Sequence, residues 1–390
     1  MIPYASFLYF GISLYFFLPL IVGAFAGFAR RIRFWIVGTT IAMLCLQYWM
    51  NSNGVFKARF ILDVIGYAVV QWGAARAFLK VRAGRVGTVA FLLTLALALL
   101  PLVYVKSTAL LPISLGGQFG FIGLSYVSFR VIDVLIDIRD GLIAELPALQ
   151  YCAYLLFFPT VSSGPIDRYK RFSTDWVAER NRAQFLVDLD SAIQHLMRGF
   201  LYKFLLAAAI QNYWLFPLRR EFDWLSTVSY MYGYSFYLFF DFAGYSAFAI
   251  AFSNLLGVHT PENFLRPFLA PNIREFWNRW HITLSWWFRD HIYMRFVMAA
   301  VRGKWFKSRF TASHIGFFLT MGLMGAWHGL EPRYLVYGLY HACLLVGQDI
   351  FSRWNKAHGL LRGLWGEAIA IFLTFNAVCF GLLIFSGRLF

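Results

Sequence analysis

An all-α, polytopic membrane protein is the fold class that three features of this 390-residue chain predict. Apolar residues make up 60% of it and charged residues only 14%, against about a quarter charged in ordinary soluble proteins. Apolar runs of roughly 20 residues, the length of helix that crosses about 30 Å of hydrocarbon, recur from one end to the other. The cations that remain are concentrated between those runs rather than inside them.

The runs lie at residues 6–27, 34–50, 60–79, 86–105, 118–136, 190–216, 228–256, 312–328, 332–351 and 364–386. A shorter apolar stretch at 150–161 is too brief to span and reads as re-entrant, so ten or eleven crossings are expected. No basic residue precedes the first run, which therefore lacks the positive start of a signal peptide and reads as a retained helix. Arg30, Arg31 and Arg33 follow the first span and Lys80, Arg82 and Arg85 the third. The second and fourth are followed only by Lys57 with Arg59, and by Lys106. By the positive-inside rule the N-terminus is outside and the two richer loops are cytoplasmic. Continuing the count places 137–149, 162–185 and 259–311 on the cytoplasmic side as well. The net charge of +16 then suits an anionic inner leaflet, not nucleic acid. With no internal repeat, low-complexity tract or soluble segment, residues 1–390 read as a single membrane-embedded domain.

Cys45, Cys152, Cys343 and Cys379 all fall in apolar sequence without ligand spacing, so packing is their expected role and no metal site is indicated. Asp133 and Asp241 are isolated acids in apolar runs, expected to be structural or paired with an arginine.

The region 257–311 is long and too aromatic for disorder. Between Asn263 and Phe310 it holds nine Lys or Arg, two acids and five tryptophans. On one continuous helix Trp277, His281, Leu284, Ser285 and Phe288 would share a face. Arg274, Asn278, Arg279, Arg289 and Asp290 would mostly point away, which predicts an interfacial or re-entrant amphipathic helix. His281 would then sit on the apolar face. His328, in Met324-Gly-Ala-Trp-His-Gly329, is the second imidazole in apolar sequence, and Gly322, Gly325 and Gly329 beside it permit close approach of a helix or ligand. Imidazole exchanges a proton near neutral pH, and ionisable groups at membrane depth are functional candidates. A hydrogen-bonded structural role is the other reading of both, and the remaining six histidines read as structural or interfacial.

Phe157-Phe-Pro-Thr-Val-Ser-Ser-Gly-Pro-Ile-Asp-Arg-Tyr-Lys-Arg-Phe172 carries three helix breakers, Pro159, Gly164 and Pro165, beside the hydroxyls of Ser162 and Ser163. It reads either as a cytoplasmic turn or as a non-helical stretch buried in protein or lining a wet cavity. A serine nucleophile is not supported, because no Gly-x-Ser-x-Gly elbow is present.

Phe276-Trp-Asn-Arg-Trp-His-Ile-Thr-Leu-Ser-Trp-Trp-Phe-Arg-Asp290, with the His of Gly325-Ala-Trp-His-Gly329 placed 47 residues after its own, resembles the signature of the membrane-bound O-acyltransferase superfamily. The opening Met1-Ile-Pro-Tyr4, the Phe158–Phe172 run, Ile138–Gly141 and Gly199–Lys203 resemble the branch that transfers D-alanine in teichoic-acid modification, over essentially the whole chain. The resemblance implies a ring of transmembrane helices around a thin centre pierced by a tunnel. His328 would lie mid-tunnel as general base and His281 near the cytoplasmic side, with Ser162, Ser163, Trp277 and Ser285 as tunnel candidates. It also implies a donor: D-alanine as a thioester on the 4'-phosphopantetheine arm of a small, acidic, cytoplasmic carrier protein, no cofactor being bound by the chain itself. The acceptor would be a cell-envelope polymer such as lipoteichoic acid, or a protein that passes the alanine on, at a bacterial cytoplasmic membrane. Arg295, Arg302 and Lys304 around Val297, Met298 and Val301 would suit the carrier, although anionic lipid accounts for the charge equally well. A polysaccharide O-acetyltransferase of the same superfamily is the alternative. A transporter fits poorly, for want of paired intramembrane acids and inverted repeats.

Overall fold

The computed structural model describes residue 4 and residues 7–27, 33–51, 58–107, 123–359 and 363–390. Arg30, Arg31, Lys57 and the start of the 118–136 run lie outside these residues. Every one of the ten apolar runs coincides with helix where it is described. They form α1 (Phe7–Phe25), α2 (Arg33–Asn51), α3 (Ala58–Val81), α4 (Gly84–Ser107) and α5 (Leu124–Arg139). The short α6 (Ala148–Leu155) and α7 (Tyr169–Val177) follow, then α8 (Arg182–Gly199) and α9 (Trp224–Leu255). The second half carries α10 (Ile273–Arg279), α11 (Ile282–Phe288), α12 (Met294–Arg302), α13 (Arg309–His328), α14 (Pro332–His358) and α15 (Gly363–Ser386). Among the described residues the only β pairing is an isolated bridge between Phe264 and Trp280. By length and composition Arg85–Ser107, Trp224–Leu255 and Gly363–Ser386 are able to cross a membrane, and Tyr9–Phe25 and Arg33–Leu46 are shorter apolar helices.

The chain packs as two compact units, one running to Gly199 and resumed by Tyr245–Pro261, the other comprising Phe200–Gly244 and Glu262–Phe390. In the first, the break after α6 is the centre of organisation. Arg130 on α5, 1% exposed, donates from Nη1 to the carbonyls of Tyr154 and Leu155, both at 3.0 Å. Its Nη2 donates to the Thr160 carbonyl at 2.7 Å and to the Thr160 hydroxyl. Tyr4 donates to the Pro159 carbonyl at 3.2 Å, and the Ser162 and Tyr245 hydroxyls bond to each other. Freed carbonyls in an apolar interior are costly unless satisfied, and here side chains satisfy them. Gly123 lets the chain pass: its φ is +95°, and a Cβ there would stand 2.2 Å from the Val161 carbonyl oxygen. The non-helical segment is buried in protein, as one of its two readings required. Asp133 pairs with Arg168, as expected of an isolated acid.

In the second unit, α13 and α14 cross through glycine. A Cβ on Gly325 would lie 2.4 Å from the Tyr334 carbonyl oxygen, and one on Gly338 2.4 Å from that of Met321. Small residues at a crossing let backbones approach this closely. Gly322, by contrast, has open space beside it. Asp241 pairs with a lysine, Lys203, rather than an arginine.

Candidate active site

The amphipathic helix expected through 277–288 is interrupted. α10 ends at Arg279, Trp280 is extended, and His281 adopts the left-handed conformation at φ 43° and ψ 53° before α11 begins. The reason is the strand-like segment opposite. The Ile282 N–H donates to the Asn263 carbonyl at 3.0 Å, and the Asn263 side-chain oxygen accepts from the Thr283 N–H and hydroxyl at 3.2 and 2.8 Å. Leu265 N–H donates to the Arg279 carbonyl at 2.9 Å. Trp280 is packed among Phe264, Phe268 and Phe276, which fixes the bend sterically. A non-glycine residue with positive φ is uncommon and costs of order 1 kcal/mol or more. The bend re-aims His281. It is 4% exposed, lies edge-on to Phe242 with ring centroids 4.7 Å apart, and its Nε2 has no hydrogen-bond partner among the described residues.

His328 is the last residue of α13 and is half-buried. Its ring is walled by aromatic neighbours: Trp327 at 4.6 Å, Phe385 at 5.0 Å and Tyr334 at 6.1 Å between centroids. His281 and His328 lie close enough to interact electrostatically.

A cavity of about 410 Å³ opens in the same unit. α10 contributes Arg274, Trp277 and Asn278 to its wall, and α11 contributes Ser285, Trp286 and Phe288. α13 contributes Phe317, Thr320, Met321 and Met324. The last four recur at helical spacing, and the next position of that face, one turn beyond Met324, is His328. Two tunnel candidates, Trp277 and Ser285, therefore share one cavity. Ser162 and Ser163 belong to the other unit, where the Ser162 hydroxyl is hydrogen-bonded to that of Tyr245. Arg274, Asn278 and Arg289, expected to point away from Trp277 and Ser285, line the same cavity, because the helix is broken at Trp280–His281. Phe317, Thr320, Met321 and Met324 were not singled out from sequence, although counting back by helical turns from His328 finds them.

On α12 the apolar residues divide. Met298 and Val301 are 43% and 50% exposed, and Met294, one turn before Met298, extends the same exposed ridge. Val297 is half-buried against Gly316 of α13, and Arg295 is half-buried too, while Arg302 and Lys304 are exposed. The other histidines are mostly bound: His314 to Asp349, His195 to the Ser191 carbonyl, His358 to the Trp354 carbonyl, and His259 to two carboxylates. No cluster of three or more metal-ligating side chains occurs among the described residues.

Neither His281 nor His328 is among the residues that line the cavity. The helical architecture agrees with sequence comparison. The profile of the membrane-bound O-acyltransferase family (MBOAT) matches residues 85–385, and the chain belongs to that family and is an acyltransferase. Within it the chain is 40% identical to the teichoic acid D-alanyltransferase of Bacillus subtilis, over 100% of this chain and 99% of that one. It is 39% identical to the teichoic acid D-alanyltransferase of Lacticaseibacillus rhamnosus, over 99% and 97%. A probable alginate O-acetylase of Pseudomonas aeruginosa is 32% identical, but over only 68% of this chain and 49% of that one.

Proposed function

We propose that the protein transfers D-alanine from a thioester on the phosphopantetheine arm of a small acidic carrier protein to a teichoic-acid acceptor, or to a protein that hands it on. The observation that carries this reading is the cavity wall on α13, whose face continues in register to His328. The full-length similarity to teichoic acid D-alanyltransferases supports it over polysaccharide O-acetylation, for which the likeness covers only part of either chain.

The chemistry follows from the residues. A hydroxyl is a weak nucleophile and needs a base as it attacks. Neutral His328 takes the hydroxyl proton while the new C–O bond forms at the thioester carbonyl. The C–S bond then breaks, and the imidazolium returns the proton to the departing thiolate. A positioned base of this kind contributes about 10²–10⁴-fold. His281, with Nε2 unengaged, orients the thioester or polarises its carbonyl. The carrier docks on the ridge of Met298 and Val301, with Val297 beneath and Arg295, Arg302 and Lys304 at its rim, where basic residues steer an acidic partner. The tunnel runs through a ring of ten or eleven crossings at a bacterial cytoplasmic membrane, with region 259–311 on the cytoplasmic side.

The test is donor competition. Purified protein in liposomes containing lipoteichoic acid should move label from D-alanyl carrier into polymer and leave acetyl-CoA untouched. Label moving from acetyl-CoA instead would assign the chain to O-acetylation.

A further inference from the structure

We infer that Arg274 and Arg289 form an anion site at the cavity mouth that reads the phosphate of the donor arm, and that Arg274 reaches it by leaving Asp349. This rests on the cavity's being the donor channel proposed above. Both arginines line the cavity, with side chains 57% and 51% exposed. Arg274 is held weakly: its Nη2 stands 3.7 Å from Asp349 Oδ1. The other oxygen of that carboxylate already accepts from Arg353 at 2.7 Å and meets His314 at 2.9 Å. Asp349 thus keeps two close partners without Arg274, and Arg274 is the cation free to turn. Arg289 pairs with its neighbour Asp290 at 2.8 Å and lies over the Trp286 ring, 5.9 Å from its centroid, both contacts on its own stretch of chain. Guanidinium groups match phosphate oxygens bidentately, which is why two at one mouth select a phosphate over a neutral end group.

The polar groups deeper in define the rest of the ligand. Ser285 donates its proton to the Trp280 carbonyl at 3.1 Å and Thr320 to the Gly316 carbonyl at 2.7 Å. Each hydroxyl therefore offers a ligand lone pairs rather than a proton, which is what an amide N–H requires. A lipid acyl chain carries no such donor; a pantetheine arm carries two amides.

Length agrees. The eleven-residue rise of α13 from Phe317 to His328 spans about 16 Å. A phosphopantetheine arm has roughly thirteen bonds from phosphorus to sulfur, about 15 Å when extended. With its phosphate at the mouth, the arm presents its sulfur at the level of His328.

The experiment measures binding of 4'-phosphopantetheine and of unphosphorylated pantetheine to the full chain in nanodiscs at low ionic strength. The wild type should prefer the phosphorylated arm about tenfold or more, and Arg274→Gln with Arg289→Gln should bring the preference within about twofold. Asp349→Asn, which releases Arg274, should strengthen the preference. An undiminished preference in the double variant overturns the assignment. The measurement is repeated in neutral and in anionic lipid. A preference kept in both supports the arm, whereas one abolished by anionic lipid assigns the arginines to headgroups and overturns the proposal. Transfer from D-alanyl-N-acetylcysteamine, a thioester without phosphate, is read on the wild type in parallel. Its absence defeats the acyl-transfer reading; its presence without phosphate preference defeats only the arginine site.

Discussion

The two breaks in helix, at Phe157–Gly164 and at Trp280–His281, differ in what they leave unsatisfied. At the first, Arg130 and Tyr4 take up the carbonyls released by the break, and Ser162 is bonded to Tyr245. At the second, the backbone is pinned just as firmly by Asn263, yet it holds His281 in a left-handed conformation with Nε2 unpartnered. A polar network that takes up the released carbonyls is scaffold, even though Arg130 Nε itself has no partner among the described residues. Polarity held in place but left open is where chemistry is to be sought. The comparison can be broken by experiments that separate folding from turnover.

The largest effects are expected at its two poles. His328→Ala should reduce transfer by about 10²–10⁴-fold while thermal unfolding in detergent is unchanged. Near-normal turnover by the folded variant would remove His328 as the base. Arg130→Met should do the reverse, exposing three buried carbonyls to an apolar interior. A loss of roughly 3–5 kcal/mol is expected, read as a fall in unfolding temperature and in yield. A stable Arg130→Met protein with no activity would move the first break from scaffold to site.

How much of this was legible in the sequence differs between the two regions for a physical reason. Hydropathy placed the long helices because burying apolar surface is a local compositional property, and α1 to α5, α13, α14 and α15 stand where the apolar runs are. Pro159, Gly164 and Pro165 announced the first break. Nothing comparable announced the second: Trp280 and His281 are ordinary helical residues, and the break is imposed by Asn263 from outside the segment. A 3.6-residue periodicity carried through 277–288 therefore put His281 on the right kind of surface for the wrong reason. Val297 was likewise grouped with Met298 and Val301, because sequence does not say which side of α12 α13 covers.

Smaller effects sharpen the account of the second break. If His281 orients rather than exchanges protons, His281→Asn, which keeps a hydrogen-bonding edge, should retain roughly tenfold more activity than His281→Ala. Equal and complete loss in both would give His281 a proton-transfer role instead. On α12, Met298→Asp should weaken carrier binding by about tenfold or more, since an apolar contact at an interface centre is replaced by a charge. Arg302→Glu should cost less, with the difference shrinking as salt is added. Val297→Asp should act differently, lowering the unfolding temperature, because that side chain faces Gly316. Unchanged carrier affinity in Met298→Asp would place docking elsewhere.

The smallest effect concerns a second network in the first unit, at His259. Its Nδ1 meets Asp175 at 3.3 Å and its Nε2 meets Asp188 at 2.9 Å, while its N–H donates to Asp175 at 2.8 Å. Both ring nitrogens face carboxylates, so the doubly protonated ring is favoured. Hydrogen bonds to Asp175 and then Asp188 raise its pKa from 6.5 to about 9, against the opposing effect of burial. Arg171 shares Asp175 and Arg180 shares Asp188, so both carboxylates keep a cation when His259 is neutral. A pKa raised on folding means that the contribution is complete below about pH 6.5 and is lost as pH rises through about 9. With the imidazole 56% exposed, solvent screening holds that contribution to about 1 kcal/mol or less. Unfolding temperature should therefore fall between pH 6.5 and 9 in the wild type and fall less in His259→Gln, whose side chain does not titrate. Parallel curves for the two proteins would show that Arg171 and Arg180 alone hold the carboxylates. His259 would then be a bystander in a network that is closed without it.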